Sequence, residues 1–142
     1  MFFVYILVLL ICSAWFSGME IALFSITPGS VKSLVLSKKK NAKLLQKILK
    51  NKKRLLAVLL LGNNLVNVTI ASISSIWVNQ KFDNNFLAIA TGIVTLLILI
   101  FGEMLPKAFF QTRAEKFALL FVPIVYFLEI ISYPVTFLLE KL

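Results

Sequence analysis

The chain has 142 residues, 60% of them hydrophobic and 15% charged, with no histidine and a single cysteine. A mean hydropathy of +0.94 excludes an ordinary soluble domain, whose surface needs far more polar side chains. The net charge is nevertheless +9, from 15 Lys/Arg against 6 Asp/Glu, so the location of the charges decides the topology.

Residues 1–27 are mostly apolar, interrupted by Ser13, Ser17, Gly18 and Glu20, and Pro28-Gly29 ends the run. The segment lacks a basic start and a small-residue cleavage pattern, so it reads as a retained first span rather than a signal peptide. Residues 28–54 hold 10 of the 15 cations, and no acidic residue lies between Glu20 and Asp83. The positive-inside rule makes this stretch cytoplasmic. Its apolar positions, Val31, Leu34, Val35, Leu44, Leu45, Ile48 and Leu49, predict one or two short amphipathic helices. Their lysines, over residues 32–54, would face anionic lipid headgroups. No aromatic residue accompanies these lysines, which excludes a nucleic-acid partner.

Residues 55–80 carry no charge and predict a second span. Lys81-Phe82-Asp83-Asn84-Asn85 predicts a polar turn, and residues 86–112 a third span. Residues 113–142 are apolar but carry Pro123, Glu129 and Pro134. A membrane-crossing helix with two prolines and a central carboxyl is expensive, so a proline-bent helix along the interface is expected instead. The fold class expected is an all-α integral membrane protein: three transmembrane helices, a cytoplasmic helical pair and a proline-bent juxtamembrane belt helix. The N-terminus is then outside the plasma (inner) membrane and the C-terminus cytoplasmic.

Cys12 is the one cysteine, which rules out an internal disulfide and, without histidine, a zinc centre. An intramembrane enzyme built on Glu20 and Glu103 would lack a histidine base, so no enzyme is expected. What remains unexplained is polar chemistry inside apolar segments, which lipid does not satisfy. Four clusters stand out: Ser17-Gly18-Met19-Glu20; Gly62-Asn63-Asn64-Leu65-Val66-Asn67; Gly102-Glu103-Met104-Leu105-Pro106-Lys107; and Thr69, Ser72 and Ser75 with Ala71. Ser17 and Glu20 share a helix face, as do Asn63 and Asn67. Pro106 has no N–H, so in an α-helix it leaves the Gly102 carbonyl without its partner. That places a bare carbonyl beside the Glu103 carboxylate, both hard oxygen ligands suited to Mg²⁺ or Na⁺. Counted from Pro28, Arg54 and Arg113, residues Ser17, Asn63, Asn67 and Glu103 lie 11, 9, 13 and 10 residues deep. At helical rise these depths are roughly 14–20 Å, near the middle of a bilayer core.

Plainer roles compete. Asn64 and the fourth cluster serve equally well as interhelical hydrogen-bonding groups. Glu20 is close enough to the cytoplasmic end to reach water, Gly102-Glu103 with Pro106 could be a kink alone, and Lys107 could snorkel or pair with a carboxylate.

The stretches Ser17-Gly18-Met19-Glu20-Ile21-Ala22-Leu23-Phe24-Ser25, Gly62 to Asn67 and Gly102 to Lys107, in this order, resemble the transmembrane domain of the CNNM/CorC family of magnesium transporters. The resemblance covers essentially the whole chain. It implies a homodimer and a dehydrated Mg²⁺ held by side chains of all three spans. The implied ligands are Ser17, Asn63, Asn67, the Gly102 carbonyl and Glu103. Glu20 and Ser25, with Asn64, Pro106 and Lys107, fall to the ion path or its gate, and export of Mg²⁺ in exchange for Na⁺ is the implied activity. The alternative is a Mg²⁺-binding membrane sensor or assembly anchor. Family members usually continue into cytoplasmic CBS domains that bind ATP. This sequence stops at Leu142, so ATP regulation is not assigned to it.

Overall fold

The computed structural model describes residues 1–82 and 84–142. Among them every regular element is helical. Helix α1 (Phe2–Ser25) is followed by α2 (Pro28–Leu36) and α3 (Ala42–Leu49). Thr27 caps α2 by accepting the Ser30 N–H at 3.2 Å, and Pro28 occupies the first turn, where its missing N–H costs nothing. Lys38 and Asn41 adopt positive φ of 53° and 66° to turn the chain between the two basic helices. The predicted hairpin is therefore two helices.

Helix α4 (Lys52–Lys81) begins three residues before the expected start at Leu55, because the Asn51 side chain caps it by accepting the Arg54 N–H at 3.1 Å. Of the predicted polar turn, Asp83 lies outside the described residues, and Asn84–Phe86 forms a single 3-10 turn. Then α5 (Leu87–Leu97) runs through a π-helical segment (Ile98–Met104) into α6 (Leu105–Thr112). Three helical stretches are long and apolar enough to cross a membrane: Phe2–Ser25, Lys52–Lys81 and Leu87–Thr112. These are the three expected spans. The chain ends in α7 (Ala114–Ile131) and α8 (Tyr133–Lys141), bent by 69°. The bend falls at Ser132, just before Pro134, whereas Pro123 sits inside α7 without ending it.

Helix α1 is central and packs against α4, the π-helical segment, α6 and α7. A buried core of Met19, Leu23, Val31, Leu45, Leu59 and Val122 joins it to the basic hairpin, α4 and α7. Two glycines set the close approaches. A β-carbon on Gly18 would strike the Phe110 ring, and one on Gly62 the Phe16 ring. Leu7 and Ile11 of α1, Leu65 and Val68 of α4, and Ile93 and Leu96 of α5 remain exposed, as lipid-facing side chains should.

Candidate cation site

The three spans converge on one cluster of oxygens. Ser13 and Ser17, four residues apart on α1, are both fully buried and point at α4. Ser13 Oγ lies 2.6 Å from Asn67 Oδ1 and 3.2 Å from Asn63 Oδ1, while Ser17 Oγ lies 3.4 Å from Asn63 Oδ1. Asn67 turns its Nδ2 outward to donate to Glu103 Oε1 at 3.3 Å, which ties α4 to the third span. Gly102 completes the ring: a β-carbon there would stand 2.8 Å from the Ser13 hydroxyl. Ser17, Asn63, Asn67, Gly102 and Glu103 are thus brought together from three separate stretches of sequence.

The backbone at Gly102 differs from the sequence expectation. The sequence predicts an α register, but Leu105 N–H bonds to the Ile100 carbonyl, five residues back. The physical reason is Pro106, whose ring clashes with the carbonyl four residues earlier in an α-helix. One extra residue in the turn relieves that clash, and such π turns frequently sit at functional sites. In the π register the missing N–H of Pro106 falls opposite the carbonyl of Phe101, so the unpartnered oxygen belongs to the Phe101–Gly102 turn rather than to Gly102 by necessity.

Ser13 is the residue that sequence reasoning passed over. The signal was there: it precedes Ser17 by one helical turn, so the two hydroxyls share a face. The remaining candidates lie nearby or apart. Glu20 Oε2 pairs with Lys107 Nζ at 3.4 Å, one turn from Ser17 toward the basic hairpin. Pro106 is buried beside that pair. Ser25 is exposed and its hydroxyl bonds to the Ala22 carbonyl at 3.2 Å; it lines an open polar recess with Thr27, Ser30, Gln111 and Arg113. Asn64 is exposed and off the cluster. In the fourth cluster Thr69 bonds back to the Leu65 carbonyl at 2.7 Å, and Ser72 is exposed, so it forms no part of the site.

Chemically, the cluster is one carboxylate among neutral oxygens. Among the described residues no three of His, Cys, Asp and Glu gather to hold a metal, so any cation here must rely on hydroxyl, amide and carbonyl oxygen. The O···O separations of 2.6, 3.2 and 3.4 Å bracket the edge of an oxygen octahedron around Mg²⁺, about 2.9 Å for bonds of 2.0–2.1 Å. Ser13 and Ser17 hydroxyls that donate here rotate to present lone pairs to a cation with little movement of heavy atoms.

Fold and site together define a multi-pass membrane protein whose three spans share a partly buried oxygen cluster. Residues 4–142 match the family described as the cyclin M transmembrane N-terminal domain, CNNM. A UPF0053 protein of Haemophilus influenzae is 33% identical over 138 residues, 97% of this chain and 33% of that protein. The UPF0053 inner membrane protein YfjD of Escherichia coli is 31% identical over 130 residues, 92% of this chain and 27% of that one. A DUF21 domain-containing chloroplastic protein of Arabidopsis thaliana, At1g55930, is 29% identical over 128 residues, 90% of this chain and 19% of its own length. The chain belongs to the CNNM family, and it spans a third or less of the length of these relatives.

Proposed function

We propose that the chain moves Mg²⁺ across the plasma (inner) membrane, coupled to Na⁺, through the cluster of Ser13, Ser17, Asn63, Asn67, Gly102 and Glu103. The observation that carries this reading is the convergence of oxygens from all three spans, two hydroxyls and one amide of them buried, on a cluster with a single carboxylate. Mg²⁺ sheds its water reluctantly and needs about six oxygens in near-octahedral array. Two hydroxyls, two amide oxygens and one carboxylate, with a backbone carbonyl freed by Pro106 at the Phe101–Gly102 turn as the sixth, meet that number. One negative charge against a divalent ion leaves the bound site net positive, so binding is modest and release is feasible. Na⁺ competes for the same hard oxygens, and the Glu20–Lys107 pair stands between the cluster and the basic end as the gate. The basic hairpin, facing anionic headgroups, orients the N-terminus outside and the C-terminus in the cytoplasm. The chain acts as a homodimer, with α7 and α8 as the interfacial belt.

The test is Mg²⁺ flux into proteoliposomes holding the full chain. Asn63→Ala and Glu103→Ala are each expected to abolish flux while the protein stays helical. Undiminished flux in both would overturn the assignment. Mg²⁺-dependent thermal stabilisation without any flux would instead mark a sensor or anchor that binds the ion and does not move it.

A further inference from the structure

At the basic end of α4, outside the oxygen cluster, one guanidinium collects partners from both arms of the bent C-terminal pair. Arg54 Nη2 donates to Glu140 Oε2 of α8 at 3.1 Å, and Nη1 lies 3.8 Å from Glu129 Oε1 of α7. The guanidinium also stands 4.9 Å from the centre of the Tyr133 ring, at the bend itself. Asn51, the cap of α4, donates from Nδ2 to the other oxygen of Glu140 at 2.9 Å. The first turn of α4 thus grips α7, the bend and α8 at once. These side chains are only partly exposed, 23% for Arg54, 13% for Glu129 and 25% for Glu140, so the contacts are shielded more than ordinary surface pairs.

This grip bears on the oxygen cluster through the helix that carries it. Asn63 and Asn67 are 9 and 13 residues beyond Arg54 in the same uninterrupted helix, about 14 and 20 Å along its axis. A helix transmits an axial shift along its length, and Mg²⁺ tolerates little departure from ideal ligand geometry. Helix α7 also packs on α1, which holds Ser13 and Ser17. The bent pair therefore bridges the two helices whose side chains supply most of the oxygens.

Resting on the transport reading, we infer that Arg54 is a positioning residue: with Glu140 and Glu129 it sets the height of α4 against α7 and α8, and so the register of Asn63 and Asn67 opposite the serines. Arg54 touches no ion. The planar guanidinium, with Nη2 on Glu140, Nη1 facing Glu129 and its plane over the Tyr133 ring, defines a position that a lysine point charge does not. Because Arg54 acts through Glu140, loss of either partner has one and the same consequence.

The experiment is a double-mutant cycle of Arg54→Ala and Glu140→Ala in proteoliposomes of the full chain, reading maximal Mg²⁺ flux and half-saturating Mg²⁺ separately. Each single variant is expected to lower maximal flux about tenfold, the scale of a sub-ångström misplacement. The double variant is expected to be no worse than either single, with half-saturation changed by less than about twofold. Arg54→Lys and Glu140→Gln, which keep part of the contact and fold more surely, are expected to fall between wild type and the alanine variants. Unchanged flux in all four single variants, or losses that multiply in the double variant, would overturn the inference. A wild-type chain that moves no Mg²⁺ would overturn the transport reading itself, and the two failures are told apart by that control.

Discussion

Gly102 has no side chain because Ser13 occupies the space: a β-carbon would lie 2.8 Å from that hydroxyl. Gly102→Ala must displace Ser13 from Asn63 and Asn67, so Mg²⁺-dependent thermal stabilisation is expected to vanish while the Mg²⁺-free protein still melts cooperatively. Retained stabilisation in that variant would show that Ser13 is not held by this contact. Ser13→Ala removes one oxygen of the cluster and one hydroxyl donor worth about 1 kcal/mol, so apparent Mg²⁺ affinity measured by titrated melting is expected to fall about tenfold. At Gly62 the constraint is packing rather than chemistry. Gly62→Val would drive the side chain into Phe16 and is expected to cost about 1–3 kcal/mol of stability, as overpacking does, read from the melting temperature. The ligand-type residues were legible in the sequence because uncompensated polar groups in apolar segments are rare. Ser13 escaped notice because one serine in an apolar run is an ordinary interhelical group, and only its partners on α4 distinguish it.

At the scale of elements, the three spans and the basic helical pair follow from charge segregation and from the length of uncharged runs. The π-helical segment from Ile98 to Met104 did not, because a proline signals a disturbed helix without saying how the register absorbs it. Here the extra residue rotates Glu103 and Gly102 relative to where an α-helix would aim them. Pro106→Ala restores the missing N–H and removes the clash with the preceding turn, so the segment is expected to relax toward an α register. Reduced flux with an intact or raised melting temperature is the expected signature, and wild-type flux would show that the π turn is dispensable. The prolines predict a bent tail without placing the bend; it falls at Ser132, near Pro134, while α7 runs through Pro123 from Ala114 to Ile131.

For the whole molecule, acid stability bears on the contact between α4 and the C-terminal pair. Hydrogen bonds from Arg54 and Asn51 hold the Glu140 carboxyl below its ordinary range. A carboxylate lowered in the folded state stabilises that state above its unfolded pKa, and the contribution is lost as pH falls through the folded value. Melting temperature is therefore expected to decline on acidification below the ordinary glutamate range, and to decline less steeply in Glu140→Gln. Burial pushes the Glu129 carboxyl the other way, upward, so it takes up a proton first as pH falls and loosens the Arg54 contacts before Glu140 does. Ordinary composition argued the topology, yet the site itself depends on three helices meeting at one depth, which sequence spacing indicated only to within a few residues.

The central claim is that the six-residue cluster carries Mg²⁺ and that Na⁺ drives it. The most direct measurement is Mg²⁺ flux through purified full chain in proteoliposomes, with and without an imposed Na⁺ gradient, compared with Glu103→Ala. The account predicts flux that accelerates with the Na⁺ gradient and disappears in Glu103→Ala. Flux indifferent to both the gradient and Glu103, or none at all in the wild-type chain, would contradict it.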